Sequence, residues 1–593
     1  MQFPEANEFI HKVQNDNNDT EMVSIRIDLG HLQVTTSLDE RSGGHRPPSS
    51  NDLKTRQLLP PKRICELLVA LYFDNLEHCF RILHRPSFEA QLENFWTSTD
   101  ESAAYSSGFA PQLVGVLSIA ATLGTHPECV TAAGSADGFL FGATDFMQQY
   151  LDTLCGKLKY QLPALQVQML ILMLRWMRLE RIDDLWSLSG QILRQALVME
   201  LDQDPSQFSD ISAFESELRR RIWMSIVEED LMLSILCAKP CLVPSYTCQS
   251  PLNVNDDELH DGLVQLPASR PVEEWTDTLC QYILAQSLPH RIAACKYMDS
   301  STGIQYENVL SHTRHMEQVL QKLPAPLRFD HMGDDAAKAP ARLMARMELD
   351  ISIRRPLLHL YSPFAYATGE DDIYRDARLS LIQSCLMLTS YQDLFDPKFS
   401  ELDVPQPQGY WDFFYNVYRH ELNQAVLGLC FEGKRLNTVT IPDGTASSDH
   451  QTAIDSCNTP FKHPIYTKAT IVHSIKDTLE PMRRRIAHPG AKLKDLVYLT
   501  IILASIHADQ DANSKEEMMK EALNGLISAV QAQLQVEDTP RSSAENGDKT
   551  HATSSSAPTA DAPFKGADFD ASWQGFPDFD YSSLRRPDPK PQT

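Results

Sequence analysis

No two of the twelve cysteines in this 593-residue sequence form a C-x2-C pair. Zinc fingers and binuclear zinc clusters are built on that spacing, so neither is expected in the chain and no metal ligand is assigned. The cysteines are spread from Cys65 to Cys457, and a chain this long does not need disulfides to hold a core. They are read as reduced thiols of the cytosol or nucleus. The tightest group, Cys237, Cys241 and Cys248, has spacings of four and seven. These match no common zinc site and suit buried structural thiols. No P-loop, G-x-S-x-G elbow or H-E-x-x-H motif occurs, and no other spacing assembles the scattered histidines and acids. No catalytic residue and no cofactor are expected, and the chain is not read as an enzyme.

Long apolar runs are also missing. Leu113 to Leu123, interrupted by Ser118 and Thr122, falls short of the roughly 18 to 20 residues that span a bilayer. The opening MQFPEANEFIHKV has no basic flank ahead of an apolar block, so no secretory signal is expected. Basic charge is scarce: 53 Lys and Arg stand against 79 Asp and Glu, a net charge of −26. A general nucleic-acid binder needs a concentrated basic surface. No residue is therefore assigned to DNA, and DNA contact is expected only indirectly.

What is present is helical periodicity. After Pro60-Pro61, Ile64, Leu67, Leu68 and Leu71 form one stripe. Similar stripes run through Leu113, Val116, Leu117 and Ala120, and through Val167, Leu170, Ile171 and Leu174. Leu218, Ile222 and Ile226 form another, as do Leu343, Met347 and Ile351, and then Leu493, Leu496, Val497 and Ile501. Ser514 with Glu517 reads as a capping box opening a last helix through Met519, Leu523, Leu526 and Val530. No sustained two-residue alternation intervenes, so the expected class is all-α over residues 61–535, with disordered segments at both ends. Residues 1–60 are polar and linker-like, apart from Val23 to Ile27, an alternation that suits an isolated strand. Loops are expected near 240–275 and 400–412, and a polar insert near 435–465. From 536 to 593 the chain turns to Ser, Thr, Ala, Pro and Asp.

Three local patterns stand out. Leu71-Tyr72-Phe73 leads to His84-Arg85-Pro86-Ser87-Phe88, with a helix expected to end before Pro86. Phe80, Phe88, Phe95 and Trp96 are available to close a hydrophobic corner, and His84 and Arg85 are read as groups satisfying nearby carbonyls. Next come Gly190, Arg194 and Ala196, where small residues would let helices approach closely, followed by the turn signal Asp204-Pro205. Third, Glu215 and Arg219, and Glu217 and Arg221, are spaced i, i+4 around the triplet Arg219, Arg220 and Arg221. Each such pair supports a helix by about 0.2–0.5 kcal/mol. Three successive arginines fan around a helix rather than forming one phosphate-binding face. Internal salt bridges are therefore expected, with Asp230 as a further partner inside the bundle.

In this order the patterns resemble the middle regulatory domain of the fungal zinc-cluster transcription factors. The resemblance rests on Tyr72-Phe73 and His84 to Phe88. It continues through Trp186, Gly190, Arg194, Ala196 and Asp204-Pro205-Ser206. Then come Glu217, Arg219 to Arg221, Trp223, Asp230, Ser234 and Pro240, and finally Ile353 to Leu358. It covers residues 60–390, with helical continuation over 391–535. Two positions depart from it: Glu200 and Ala238 stand where the family has glycine. The resemblance implies a nuclear regulator of a catabolic or secondary-metabolite pathway. It also implies a six-cysteine cluster before the domain. DNA contact is then expected from a cluster beyond this sequence or from a partner, either a second copy or a zinc-cluster factor.

Residues 564–581 hold six aromatics and four aspartates. Phe569, Trp573, Phe576, Phe579 and Tyr581 interleave with acids that keep them solvated for a coactivator groove, so this tail is read as an activation segment. The other reading is an effector-sensing or scaffold protein, or an inhibitory partner of a zinc-cluster factor. In that reading a small-molecule effector would sit inside the helical bundle.

Overall fold

The computed structural model describes residues 3–37, 56, 59–98, 101–123, 142–298, 304–329, 340–367, 373–395, 407–438, 466–487, 493–507 and 512–538. Among these there are helices and no strand. In chain order they are α1 (Pro4–Asn15), α2 (Thr20–Ser37), α3 (Lys62–Asn75), α4 (Arg85–Thr97), α5 (Glu101–Ser106) and α6 (Phe109–Ala121). Then come α7 (142–153), α8 (Leu162–Met177), α9 (Ile182–Val198), α10 (Ala213–Leu236), α11 (Leu279–Met298) and α12 (Tyr306–Gln321). The last are α13 (Pro340–Ala365), α14 (Arg375–Phe395), α15 (Pro407–Thr438), α16 (Lys468–Arg484), α17 (Leu493–His507) and α18 (Ala512–Asp538).

The chain divides into two compact units. The smaller takes its described residues from 3–37 and from Asn423 onward; the larger spans His45 to Leu422. The division falls between Leu422 and Asn423, inside α15.

The smaller unit corrects the reading of the N-terminus. Residues 4–15 and 20–37 are helical, and Val23 to Ile27 is not a strand. The alternation lies within a longer helical stripe, Met22, Ile25, Leu29 and Leu32, all buried. α1 likewise buries Phe9, Ile10 and Val13. Charges then pin these helices to α18: Lys12 meets Glu516 at 2.5 Å and Lys520 meets Asp19 at 2.8 Å. α18 begins at Ala512, so Ser514 lies within its first turn rather than capping it.

In the larger unit, α3 ends at Asn75, well before the expected stop. Residues 77–84 form a loop, and Pro86 sits in the first turn of α4. Proline suits that position because the first-turn N–H groups need no intrahelical acceptor. Phe88 packs against Phe73 and Phe109, with ring centroids 5.5 and 5.1 Å apart. Phe95 joins Phe109 at 5.9 Å. Residues 240–255 run without helix, whereas 407–412 are helical. The bulk of the proposed insert, 439–465, and the whole of 539–593 lie outside the described residues.

Helices α8, α9 and α10 end in the same device. The N–H groups of Glu180, Leu201 and Lys239 reach back to the carbonyls of Arg175, Ala196 and Ser234, at 3.2, 3.1 and 2.9 Å. The hinge residues Leu179, Glu200 and Ala238 take φ of 60°, 57° and 50°. This is the left-handed helix terminator that glycine ordinarily serves. The two departures from the family pattern therefore keep a glycine-type backbone without glycine.

Candidate functional site

α10 is the axis of the larger unit, packed against α9, α11 and α13. It has no solvated face: Glu217, Arg220, Arg221, Ser225, Glu228, Glu229, Asp230 and Ser234 are all buried. Charges inside a protein are tolerable only when paired and hydrogen-bonded, and most of these are.

The arginine triplet is fully engaged. Arg219 meets Glu215 at 3.0 Å near the surface. Arg220 holds Asp204 through Nε to Oδ2 at 3.0 Å and Nη2 to Oδ1 at 2.8 Å. Asp204 also accepts from the Gln249 and Ser206 amides and caps the short turn opened by buried Pro205. Burial alone would raise its carboxyl. Arg220 and the amides outweigh that and hold it well below the usual carboxylate range.

Arg221 turns the other way. It donates to Glu217 at 3.3 Å, Asp256 at 2.7 Å and Thr278 at 3.0 Å. Asp256 also takes Arg81 at 2.5 Å. Burial opposes its charge, yet the two arginines hold it well below its ordinary range. His84 bonds the Asp256 carbonyl through Nε2 at 2.9 Å and Ser87 through Nδ1 at 2.8 Å. Its neighbour Arg85 is more exposed and bridges Asp74 and Glu89. Glu77 closes the loop below, accepting from Tyr72, Ile82 and Leu83; burial pushes its carboxyl up to about 7. One polar cluster thus joins the first and third sequence patterns through residue 256. The second pattern meets the third at Asp204.

Asp230 does not pair with the triplet. Its carboxylate accepts from the Leu242 amide at 3.2 Å and Ser189 Oγ at 3.4 Å. The arginine whose charge reaches it is Arg194, exposed on α9. Burial pushes Asp230 up to about 6. The reason is geometric: Asp230 lies more than two turns beyond Arg221 and faces the loop after α10. Ser234, in the last turn of α10, donates to the Pro240 carbonyl of that loop and accepts from Trp186. Trp223 is fully buried, edge-on to Tyr246 at 5.6 Å. Gly190 does not mark a close approach. A Cβ there would meet nothing nearer than the Arg194 guanidinium at 3.6 Å. Among the described glycines inside helices the tight one is Gly115 on α6, where a Cβ would lie 3.0 Å from Met147 Sδ and 3.2 Å from Leu170 Cβ.

Other elements of the site escaped the sequence reading. Arg291 grips Glu228 at 2.5 and 2.7 Å, and Arg355 meets Glu421 at 2.6 Å. The only sequence signal was that α10 carries charge on every face, which leaves no side for the solvent. Beside this axis lies a cavity of about 750 Å³, mouth included, lined by aromatic and methionine side chains that include Phe80, Trp176 and Met232. The cysteines at 237, 241 and 248 are buried free thiols. No group of three or more potential metal ligands occurs among the described residues. Among the same residues no helix is long and apolar enough to cross a membrane. The tail residues Phe569, Trp573, Phe576, Phe579 and Tyr581 lie outside the described residues.

Comparison with known proteins places this framework. Residues 69–274 match the family model for the fungal specific transcription factor domain. The chain is 27% identical over 398 residues to "Transcription factor opdR" of Penicillium oxalicum, covering 66% of this chain and 48% of the relative. It is 26% identical over 364 residues to "Zn(2)-C6 fungal-type transcription factor mpsB" of Macrophomina phaseolina, covering 59% and 47%. It is 22% identical over 353 residues to "Equisetin cluster transcription factor eqxF" of Fusarium heterosporum, covering 57% and 49%. The chain spans about half the length of the curated relatives it matches. No solved structure matches it.

Proposed function

The chain carries a fungal specific transcription factor domain and its relatives are transcription factors, and from that premise we propose that it is a nuclear activator of a metabolic gene cluster. The observation that carries this reading is the domain over residues 69–274, whose family-like residues His84, Asp204, Glu217, Arg220 and Arg221 meet in buried ion-pair and hydrogen-bond networks around α10. Arg220 and Arg221 are spent inside the fold and Arg219 is paired with Glu215 at its edge, which supports a regulatory rather than a DNA-contacting role for α10. DNA contact then comes from a zinc cluster outside these residues or from a partner, either a second copy or a zinc-cluster factor. A relative named as a cluster transcription factor supports a gene-cluster target. Activation is assigned to the acidic-aromatic tail, recruiting coactivators through Phe569, Trp573, Phe576, Phe579 and Tyr581.

Chromatin immunoprecipitation of the tagged chain, alone and with candidate zinc-cluster partners deleted, tests the regulatory role. Fusion to a heterologous DNA-binding domain tests the tail. The fusion should drive a reporter, and replacing Phe569, Trp573, Phe576 and Phe579 with Ala should abolish the signal. No promoter occupancy, or a reporter indifferent to the four substitutions, would overturn the corresponding half of the reading. A second reading is an effector-responsive scaffold or inhibitory partner without DNA contact of its own. The cavity beside α10 favours it, and nuclear exclusion of the chain would select it.

A further inference from the structure

The cavity is bounded by α3, α8, α10, α13 and α15, and most of its wall is apolar: Phe80, Leu172, Trp176, Met232, Met344 and Phe413. Its polar side chains are Asn75, Glu229, Glu348, Ser352, Arg355 and Tyr418. Glu229 reaches the wall from the middle of α10, is 5% exposed, and its Oε2 has no hydrogen-bond partner. Asn75, 4% exposed, spends its amide N–H on the Leu71 carbonyl and leaves Oδ1 unpartnered. Both unmet atoms are acceptors. Glu348 adds a second carboxyl, half-buried and hydrogen-bonded to Cys79. The one cation in the wall, Arg355, is held by Glu421 at 2.6 Å.

Unmet buried acceptors cost on the order of 1–3 kcal/mol each, more for a charged group. A polar group placed so in an apolar chamber is uncommon unless a ligand completes it. What completes two open acceptors beside a second carboxyl is a donor, and a cationic one satisfies the most, because its charge holds the carboxyls ionised against the burial that otherwise favours their protonated forms. We propose that this cavity is a binding site for a small apolar molecule bearing a protonated amine, its ammonium seated between Glu229, Asn75 and Glu348 and its hydrocarbon part against Trp176, Phe80 and Met232. The residues come from both sides of α10, so occupancy would tie α3, α8 and α13 to that helix. An amine-bearing metabolite would thereby stabilise one arrangement of the regulatory domain.

The test uses the full purified chain and three probes of matched size: 2-phenylethylamine, 2-phenylethanol and 3-phenylpropionate. Calorimetric titration should show the amine binding at least about tenfold more tightly than the carboxylate, with the alcohol between, because each tenfold step needs only a modest charge-assisted contact. Glu229→Gln keeps the shape and removes the charge, and it should shrink the preference to about twofold or less. Glu348→Gln gives an independent reading should the first variant fold poorly. Absence of amine binding, equal affinity for the three probes, or a preference unchanged in both variants would overturn the proposal. None of these outcomes bears on reporter activity, so the transcriptional reading stands or falls separately.

Discussion

Arg220 and Asp204 face each other across two parallel hydrogen bonds, 3.0 and 2.8 Å long, with side chains 8% and 4% exposed. Breaking one side of such a pair strands the other charge. Arg220→Ala or Asp204→Ala should therefore cost about 3–5 kcal/mol, whereas the double change Arg220→Met with Asp204→Leu should recover most of that loss. Urea denaturation of the three variants checks this; equal losses in single and double variants would contradict it. The sign with pH follows from the depressed Asp204 carboxyl. Its contribution is complete above its unfolded value of 3.8 and is lost as pH falls below that. The gap between parent and Asp204→Asn should close in acid.

Glu200 and Ala238 hold φ of 57° and 50° at the ends of α9 and α10, and both are exposed. A left-handed conformation costs a side-chain-bearing residue about 1–2 kcal/mol, against about 0.5–1 kcal/mol of extra entropy lost by glycine on folding. Glu200→Gly and Ala238→Gly should each stabilise the chain by roughly 0.5–1 kcal/mol, visible as a raised thermal midpoint. Leu179 shares the geometry at 60° but is 6% exposed. Leu179→Gly loses buried apolar surface and should destabilise by about 2 kcal/mol or more.

The same positions show what the sequence made legible. Local pairs were readable because helix geometry alone sets them: Glu215 with Arg219 and Glu217 with Arg221 sit one turn apart and do meet. The Arg220 and Arg221 partnerships with Asp204 and Asp256 were not, because they span 16 and 35 residues and tertiary packing chooses among many acids. Asp230 went astray for that reason. α1 and α2 were hidden by polar composition: Met22, Ile25, Leu29 and Leu32 form a stripe one residue wide, with charges between them. The cavity was beyond reach, since its lining runs from Asn75 to Tyr418 and no local pattern joins them.

Glu348 should make stability depend on pH in the opposite sense to Asp204. Burial pushes its carboxyl up to about 8, helped by the charge of Glu228, while hydrogen bonds from Cys79 and, less, the charge of Arg355 pull it down. An acid whose folded pKa is raised binds its proton more tightly in the fold than in the unfolded chain. Between the unfolded value of 4.5 and about 8, the fold pays a growing penalty as pH rises. Glu348→Gln removes the titration. Relative to the parent, the variant should gain stability from pH 5 upward and level off above about 8, by roughly 1–3 kcal/mol after allowance for its partial exposure. A difference that stays flat over that range would show that Glu348 is already ionised in the folded chain.

Two glycines inside helices should respond oppositely to a side chain. Gly190 has room: a Cβ there finds only the mobile end of Arg194 at 3.6 Å and Leu242 at 3.8 Å. Gly190→Ala should stabilise by about 0.5–1 kcal/mol through helix propensity and a less disordered unfolded chain. Gly115 has none. Its Cβ would press Leu170 Cβ at 3.2 Å, at the root of a side chain on α8 that cannot swing away, and Met147 Sδ at 3.0 Å. Gly115→Val adds still more bulk at the α6–α8 contact and should cost about 1–3 kcal/mol by overpacking. Thermal denaturation of the two variants side by side separates the cases. If both rose or both fell, the space around one glycine would differ from that described, and the Gly190 position in the family-like stretch would regain a packing role.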